Sequence, residues 1–521
     1  MFSISIKSGL IRIFFFTSFL IHTGNILHAQ VLQNGRVEIG IASSFETFSV
    51  VSLDSSGIAL YRNFVGATEN QLELIRLDTA LNQVWRGFLP IPKGFTVASA
   101  KTVANKLYFF FENKTVVNRP FQVVAVQIKD GEYTSYPIKN AIAFNATEFI
   151  ASKKVLLIGG YFNFRPVVLF YSLLDHRSRI LPGFLNEPGE LTQINASDDG
   201  IDVIVSGKNN SKKKCLWIRH FDDVGDLTKT VVLESSENKN LIFGRTAKAD
   251  NGIQVIAGVY GKNSQYSRGI FVAEINSLGE YVIRYYNFAD LHNFFHYMKA
   301  KREKRIKDRI ERRRVRGKKS KFNYRFLVHE LIPYGDQFIL VGEAFYPTYT
   351  SGYNSYSTRM LGSSPWSYPS ARYYNNPYPS RYYGSPYTSD LVFSGFQYTH
   401  AIVIGFDAHA KITWDNSFEI NGLKSFYLDQ YVKILTEKEK IELFYLFQNN
   451  IRSKVIHNNQ IEEGTIQNPI LNSDQQRKSN VESSKLEYWY GNHLFVYGIQ
   501  TVKNSKDDIR RSFFISKLTA P

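Results

Sequence analysis

The sequence has one cysteine, three methionines and few long apolar runs. The single cysteine, Cys215, excludes an internal disulfide, and its place beside Leu216 and Trp217 in a strand-like run predicts a buried, inert thiol. A membrane-spanning helix needs about 20 consecutive apolar residues, and the run at residues 13–21 has nine. We therefore expect a soluble mature protein.

The sequence also lacks the short motifs that mark common catalytic and metal sites. It contains no HExxH, no pair of CxxC motifs, no GxSxG and no glycine-rich phosphate loop. We therefore predict neither a metal nor a cofactor. Any catalytic site would have to consist of residues that do not form one of these sequence motifs.

The first 29 residues have the organisation of a signal peptide. Lys7 and Arg12 precede the apolar run at 13–21, and a polar stretch ends at Ala29. This order of basic start, apolar centre and small residue predicts cleavage after Ala29. The mature protein, 30–521, is then an exported protein of the periplasm, the cell surface or the medium.

An apolar strand recurs along the chain with a period near 50 residues. The copies are GIALYRNF (57–64), KLYFFFEN (106–113), KVLLIGGYF (154–162), IDVIVSGK (201–208), IQVIAGVY (253–260), FILVGEAF (338–345), IELFYLFQ (441–448) and HLFVYGIQ (493–500). The first five start 49, 48, 47 and 52 residues apart, and the last two start 52 apart. Such a period of hydrophobic strands is typical of β-propellers and repeat arrays.

Each repeat contains a weaker strand before the recurrent one and two strands after it, which makes four strands, A to D, per unit. The eighth unit ends after its third strand. RVEIGIAS (36–43), before the first unit, is a predicted strand that belongs to none of the eight units. We predict one all-β domain over 30–521, an eight-bladed β-propeller whose last blade is completed by this N-terminal strand. Two smaller β-domains are the alternative, but no linker divides the units.

Two turns, LDTALNQVW (77–85) and FDAHAKITW (406–414), resemble the Asp-to-Trp docking pattern of pyrroloquinoline-quinone-type propeller repeats. The segments HAQ, VGEAFYP and YTHAIVIGFD are similar to those of uncharacterised secreted Bacteroidota proteins. The first resemblance implies blade geometry without the quinone site, and the second implies an envelope protein without a known activity.

Insertions account for the two gaps in the period, which measure 85 and 103 residues. The first, 290–321, connects strand D of unit 5 to strand A of unit 6. The second, 346–398, connects strands B and C of unit 6. In a four-stranded blade both kinds of connection emerge on one face, so we expect this face to carry the function.

The first insertion is strongly basic, because residues 298–321 hold fourteen Lys and Arg against three acids. Apolar residues at helical spacing, from Leu291 to Ile310, predict a helix over 290–316, with Asp290 as N-cap and Gly317 as the stop. Its candidate ligand-binding residues are Arg302, Arg305, Arg309, Arg312, Arg313 and Arg316. A solvated helix, an anion-binding element and a peripheral contact with a membrane surface are the three interpretations.

The second insertion holds eleven tyrosines in residues 346–387, with Ser, Pro, Gly and Asn between them. It shows no helical or strand period, so it is either a low-complexity flap or a recognition loop. Its candidate ligand-binding residues are Tyr346, Tyr349, Trp366, Tyr373 and Tyr374.

Three residues of unit 6 are candidates for catalysis. Arg325 begins strand A, Glu343 ends strand B and His400 begins strand C, so all three should lie near one rim of the blade. Glu and His could exchange protons while Arg orients a carboxylate. A structural ion-pair cluster is the alternative.

These observations leave two functional hypotheses. The first is a non-enzymatic binding or scaffold propeller of the cell envelope, whose partner is an anionic glycan, a lipid head group or an acidic protein. The second is a glycan-active hydrolase or lyase that uses Glu343 and His400. Nucleic acid is disfavoured as a partner because export removes it from the usual targets.

Overall fold

A computed structural model describes residues 31–520 except for several gaps. The gaps are 43–45, 66–69, 117, 186–187, 236–238, 249–251, 263–265, 352–390, 438–439, 458–459, 471–477 and 504–508. The predicted signal peptide therefore lies outside the described residues. Within the described part, no helix has the length and apolar character that a membrane span requires.

The described strands form eight antiparallel sheets, one for each predicted repeat. The chain opens with β1 (Leu32–Gly40). The first four blades contain β2 (Ser49–Ser52), β3 (Ile58–Val65), β4 (Asn70–Leu77), β5 (Gln83–Pro90); β6 (Thr96–Val103), β7 (Lys106–Glu112), β8 (Phe121–Gln127), β9 (Tyr133–Ile138); β10 (Asn145–Ala151), β11 (Val155–Phe162), β12 (Arg165–Ser172), β13 (Ser178–Ile180); β14 (Glu190–Ser197), β15 (Gly200–Lys208), β16 (Lys214–Phe221), β17 (Leu227–Leu233).

The other blades follow the same order, with additional elements around blade 6. They contain β18 (Asn240–Lys248), β19 (Gln254–Gly261), β20 (Ser267–Ile275), β21 (Tyr281–Asn287); the helix α1 (Ala300–Val315); β22 (Arg325–Val328), β23 (Ile332–Tyr334), β24 (Gln337–Ser351), β25 (Leu391–Asp407), β26 (Ile412–Glu419), β27 (Lys424–Ser425); β28 (Lys433–Thr436), β29 (Ile441–Phe447), β30 (Asn450–His457), β31 (Gln460–Pro469); β32 (Lys478–Tyr488), β33 (His493–Lys503), β34 (Ile509–Thr519). A short 3-10 turn, Asp54–Ser56, joins β2 to β3.

The eight recurrent segments of the sequence correspond to the second strand of each blade, which confirms the repeat. In blade 4 this strand, β15, is buried along all but its last residue. A strand that packs against neighbouring blades on both faces has no polar side, so it forms a continuous apolar run that is visible in the sequence. The predicted buried thiol is also confirmed, since Cys215 is fully buried in β16.

The N-terminal strand completes the last blade, as predicted. The sheet order of blade 8 is β1-β34-β33-β32, with β1 antiparallel to β34 from Leu32 to Gly40. Arg36 fastens this pairing, because its guanidinium donates to Gln500 at 2.7 Å and to Ser516 at 3.0 Å. The first and last parts of the described chain therefore share one blade, and the ring is closed.

The two turns that resemble quinone-type repeats behave differently. The indole nitrogen of Trp85 donates to the carbonyl of Ile128 in blade 2 at 3.0 Å, so this residue docks one blade on the next. The indole nitrogen of Trp414 donates to Gln337 of its own blade at 3.2 Å. The docking geometry that the pattern implied is thus present at the first turn only.

Candidate functional site

The first insertion begins with an aromatic segment, residues 288–299, which we call the anchor segment. Phe288, Leu291, Phe294 and Phe295 are buried in the largest hydrophobic cluster, which spans blades 5 to 7. The rings of Phe288 and Phe294 stack with centroids 4.7 Å apart. These contacts hold the insertion against the propeller.

The helix prediction was wrong at its start, because α1 begins at Ala300 and not at Asp290. The Asp415 carboxylate accepts hydrogen bonds from the backbone N–H groups of His292 and Asn293, at 2.8 and 2.7 Å. The Ser417 hydroxyl accepts one from the N–H of Tyr297 at 2.9 Å. Partners on β26 thus satisfy backbone donors of the anchor segment, which folds as turns. At 1.5 Å per residue, α1 is about 24 Å long, whereas a helix over 290–316 would be about 40 Å long.

The predicted stop of the helix is confirmed. Gly317 has φ 66°, a left-handed conformation that glycine adopts without strain. Its N–H donates to the carbonyl of Arg314 at 2.9 Å, and the N–H of Lys318 donates to that of Arg313 at 2.8 Å. This is a Schellman motif, which satisfies carbonyls that the helix end would leave free.

The six predicted arginines lie on one side of α1 and its C-cap. At 3.6 residues per turn, they fall within a sector of about 100°, and every one is exposed. We call this set the arginine stripe: Arg302, Arg305, Arg309, Arg312, Arg313 and Arg316. Ile306 and Ile310 face the core beside it. Among the described residues, no carboxylate lies within ion-pair distance of a stripe arginine, so these charges are available to an external anion.

His400 is fully buried behind the anchor segment. Its imidazole stacks on the ring of Tyr297, and Phe294, Tyr324 and Phe326 meet it edge-on. Nδ1 lies 2.9 Å from the Thr399 hydroxyl, and Nε2 is buried without a hydrogen-bond partner in the described part of the chain. Desolvation lowers the pKa of His400 to about 3, so this imidazole is neutral at ordinary pH.

Glu343 lies on the other face of the same sheet. The register pairs Glu343 with Ala401 and Ala344 with His400. Paired residues share a face, and successive residues alternate, so the carboxylate and the imidazole point in opposite directions. Glu343 accepts from the backbone N–H groups of Tyr431 and Val432, at 3.2 and 3.0 Å, next to blade 7. The structure therefore does not bring these two candidates together.

Glu343 has a different histidine as its partner. His329 Nε2 lies 2.7 Å from Glu343 Oε1, and the carboxylate is fully buried. The third candidate, Arg325, turns toward blade 5, where its guanidinium lies 4.7 Å above the Tyr266 ring. Glu343 and His329 therefore form a buried pair on the side of blade 6 that faces blade 7. The ion-pair cluster of Arg325, Glu343 and His400, which was the alternative to catalysis, is not formed either.

A cleft of about 960 Å³ lies where the described parts of the two insertions meet. Its floor and walls come from the end of the anchor segment, the start of α1, the hairpin of β24 and β25, and the chain after β26. Six tyrosines line it: Tyr266, Tyr297, Tyr324, Tyr346, Tyr349 and Tyr398. Tyr346 and Tyr349 are nearly half exposed. The expectation that both insertions emerge on one face is thereby confirmed.

The charged groups of the cleft are mostly cationic. Among the described lining residues, the cations are Lys299, Arg302 and Arg325, and the one carboxylate is Glu419. Desolvation raises the pKa values of Tyr297 and Tyr324, and the two phenol oxygens lie 3.2 Å apart. These phenols therefore remain protonated, and because one of them donates to the other, one O–H is left to donate to a ligand. The cleft can offer aromatic faces, hydroxyl groups and positive charge to one ligand.

Some of the predicted ligand-binding residues lie together in the cleft, and others lie elsewhere. Arg302, Tyr346 and Tyr349 line the cleft. The other five stripe arginines lie along the outside of α1. Trp366, Tyr373 and Tyr374 lie outside the described residues. The second insertion also contains more strand than expected, since β24 continues to Ser351 and β25 starts at Leu391.

Sequence reasoning missed four tyrosines of the cleft: Tyr266, Tyr297, Tyr324 and Tyr398. Tyr266 precedes strand C of blade 5, two others flank the basic helix, and Tyr398 is the last residue of the second insertion. The only available signal was their position beside an insertion or on the predicted functional face. That signal applies equally to residues that the structure places elsewhere.

No family model and no curated protein matches this chain. Among solved structures, the chain is similar to the β-propeller domain of the Trilobed protease from Pyrococcus furiosus, at 8% identity and a TM-score of 0.36, over 80% of this chain and 98% of that one. It is also similar to the polysaccharide lyase Uly1, at 8% identity and a TM-score of 0.38, over 94% and 99% of the two chains.

A third similar structure is that of a prolyl endopeptidase, with 8% identity and a TM-score of 0.39 over 89% of this chain and 56% of that one. At such identities and scores, these similarities say nothing about function. The likeness to quinone-type repeats and to Bacteroidota envelope proteins stays a prediction.

Proposed function

We propose that this protein is a non-enzymatic, exported propeller of the cell envelope that binds an acidic glycan in the tyrosine-lined cleft. The observation that supports the proposal best is the composition of the cleft. Of the residues that the structure describes there, six are tyrosines, three are cationic and one is a carboxylate. Periplasmic, surface and secreted locations are all compatible with this function.

Sugar rings suit this kind of surface. Their C–H faces stack on aromatic rings, while their hydroxyl groups need polar partners at the ring edges. The exposed rings of Tyr346 and Tyr349 supply the stacking surface, and the hydrogen-bonded phenols of Tyr297 and Tyr324 supply one free O–H donor. Lys299, Arg302 and Arg325 supply partners for uronate carboxylates.

Binding is favoured over hydrolysis by the placement of the carboxylates. Most glycoside hydrolases use two carboxyl groups that flank the scissile bond. Among the described residues that line the cleft, Glu419 is the one carboxylate. Glu343 is fully buried against His329, and His400 is buried on the opposite face of the sheet. Neither group of the enzymatic hypothesis reaches a bound sugar from these positions.

The test is a titration calorimetry experiment with two forms of one polymer. We expect the protein to bind polygalacturonate oligosaccharides, and to bind fully methyl-esterified oligosaccharides of equal length at least about tenfold more weakly, because esterification removes the carboxylates. The double variant Tyr346→Ala and Tyr349→Ala should weaken both interactions, since stacking does not depend on charge.

The matched control is Tyr133→Ala, which removes an exposed tyrosine of blade 2. It should leave both affinities unchanged. Equal binding of the charged and esterified forms would overturn the acidic-glycan proposal, and so would binding that survives in the double variant. Release of new reducing ends or unsaturated products during prolonged incubation would instead establish the enzymatic hypothesis.

A further inference from the structure

A second pocket lies on the same face, at the other end of α1. It has a volume of about 430 Å³ and is bordered by blade 5 and by the loop that follows the helix. Six cationic side chains line it: Lys239, Arg268, Arg314, Lys318, Lys319 and Lys321. We call it the lysine pocket. It shares no lining residue with the tyrosine-lined cleft.

The positive charge of the lysine pocket is poorly compensated. Asp290 is the one carboxylate among its described lining residues, and it lies 3.8 Å from Arg314, which also pairs with Glu311 of α1 at 3.4 Å. The Lys239 ammonium lies 4.1 Å above the Tyr285 ring. The other four cationic side chains have no carboxylate within ion-pair distance in the described part of the chain. Cationic side chains that line one pocket repel one another, so an anion between them would be stabilised.

The loop that carries three of the lysines is held in place by its backbone. The Schellman motif fixes Gly317 and Lys318, as described above. The Asn287 side chain donates to the carbonyl of Ser320 at 3.2 Å, and the Arg313 guanidinium donates to that of Lys319 at 3.5 Å. Because these bonds order the backbone before a ligand arrives, binding need not order the loop.

One serine that lines the pocket has a hydroxyl group without a partner among the described residues. The Ser320 Oγ atom is buried and makes no hydrogen bond among the described residues. Nearby, burial raises the pKa of Tyr260 to about 12, with Asp290 adding to the effect, so this phenol stays protonated. An oxyanion in the pocket would find a hydroxyl donor together with ammonium and guanidinium groups, which is how proteins bind phosphate and sulfate.

We propose that the lysine pocket binds a phosphate or sulfate monoester. Lys318, Lys321 and Arg268 neutralise the oxyanion, Ser320 donates a hydrogen bond to it, and the rings of Tyr260 and Tyr285 border the esterified organic group. The volume lies within the range of small-molecule sites. This site is independent of the proposed glycan cleft and stands whether or not that proposal holds.

The experiment uses the full protein at physiological ionic strength, with glucose 6-phosphate, glucose 6-sulfate and glucose as probes in titration calorimetry. Both esters should bind and glucose should not. The triple variant Arg268→Gln, Lys318→Gln and Lys321→Gln should raise the Kd of the esters at least about tenfold, since it removes three charge-assisted partners. Ser320→Ala should raise it about threefold through the loss of one hydrogen bond.

The matched control removes three charges from the first half of α1: Lys301→Gln, Lys304→Gln and Lys307→Gln. These positions lie at least about 10 Å along the helix axis from Arg314, and charges beyond about 8 Å are largely screened at this ionic strength, so the control should change the Kd less than about twofold. A loss of affinity that is equal in the two triple variants would overturn the pocket in favour of a diffuse electrostatic effect. Absence of binding by both esters would also overturn it.

A further arm distinguishes the source of the monoester. Sedimentation with phosphatidylcholine vesicles that contain phosphatidate tests a lipid head group, and the soluble probes test a free sugar ester. Binding to the vesicles that the pocket variant abolishes, and the control does not, would assign the site to lipid. Binding of the soluble esters without vesicle binding would assign it to a free or glycan-borne ester.

Discussion

The imidazole of His400 lies flat on the ring of Tyr297, with centroids 3.6 Å apart and planes 3° from parallel. One ring belongs to the third strand of blade 6 and the other to the anchor segment, so this contact joins the insertion to the propeller. A stacked pair of this kind adds to the free energy of burial only while the imidazole stays neutral in its apolar surroundings.

The first prediction follows from that neutrality. Burial lowers the pKa of His400 from its ordinary value of 6.5 to about 3. Below pH 6.5 the unfolded chain takes up a proton that the folded protein does not, so the free energy of unfolding should fall as the pH drops. The slope from this one residue is about 1.4 kcal/mol per pH unit between the two pKa values. Denaturant unfolding between pH 7.5 and 4 measures it.

The control variant is His400→Phe, which keeps an aromatic ring and removes the titration. Tyr297 and Tyr324, which face the imidazole, have raised pKa values and remain uncharged over this range. The pH slope of the variant should therefore be smaller by the contribution of one proton. If the wild-type protein and the variant have the same slope, His400 is not the group that titrates.

The second prediction concerns the buried pair of Glu343 and His329. Glu343→Ala removes a carboxylate that accepts bonds from His329 and from two backbone N–H groups at the entrance of blade 7. Loss of one partner from a buried pair costs about 3 to 5 kcal/mol, measurable by chemical denaturation. Glu343→Gln keeps an acceptor of the same shape and should cost less.

The same two variants test the enzymatic hypothesis. If Glu343 served only in catalysis, both variants would unfold like the wild-type protein and would lose an activity. If Glu343 is structural, the opposite result is expected: both variants should be less stable than the wild-type protein, and the folded variants should bind the ligand with unchanged affinity.

The blade repeat could be predicted from sequence because each second strand carries its signal within eight or so consecutive residues. Strands such as β15 are buried on both faces, so they consist of a continuous run of apolar residues. Such a run can be recognised in the sequence without knowing which neighbouring strand or blade it packs against. The signal for the end of the helix is also local in the sequence. It is Gly317, which supplies the left-handed conformation that a Schellman motif requires.

The start of the helix and the candidate acid-base pair could not be predicted, for two different reasons. The turns before Ala300 depend on Asp415 and Ser417, which lie about 120 residues further along the chain and compete with helical hydrogen bonds. The separation of Glu343 from His400 depends on the register of β24 against β25. A shift of one residue exchanges the faces of a strand, and that register is not readable from either strand alone.

The third prediction concerns closure of the ring. Arg36 on β1 donates to Gln500 and Ser516, and its guanidinium lies 4.2 Å above the Phe514 ring. Arg36→Ala should reduce the free energy of unfolding by about 1 to 3 kcal/mol, because it leaves the buried Gln500 amide without this donor. Deletion of residues 30–43 should have a larger effect and promote aggregation, since it exposes the edge of β34. Thermal unfolding and light scattering measure both, and unchanged melting of the deletion variant would contradict the closure.

The last prediction separates the architecture of the basic insertion from its charge. Phe294→Ser removes a ring that is buried among Phe288, Phe295, Tyr324 and Phe326, so it should cost about 3 to 5 kcal/mol. The anchor segment would then no longer position α1, and any loss of ligand affinity should parallel the loss of folded protein.

The complementary variant replaces Arg305, Arg309, Arg312 and Arg316 of the arginine stripe with Gln. These side chains are exposed and have no carboxylate partner among the described residues, so the free energy of unfolding should change by no more than about 0.5 kcal/mol. Affinity for a polyanion such as polygalacturonate should fall most at low salt, because screening already weakens these contacts at high salt. If this variant were destabilised yet kept its affinity and salt dependence, the stripe would serve the fold, and the acidic partner would have to be bound by the cleft alone.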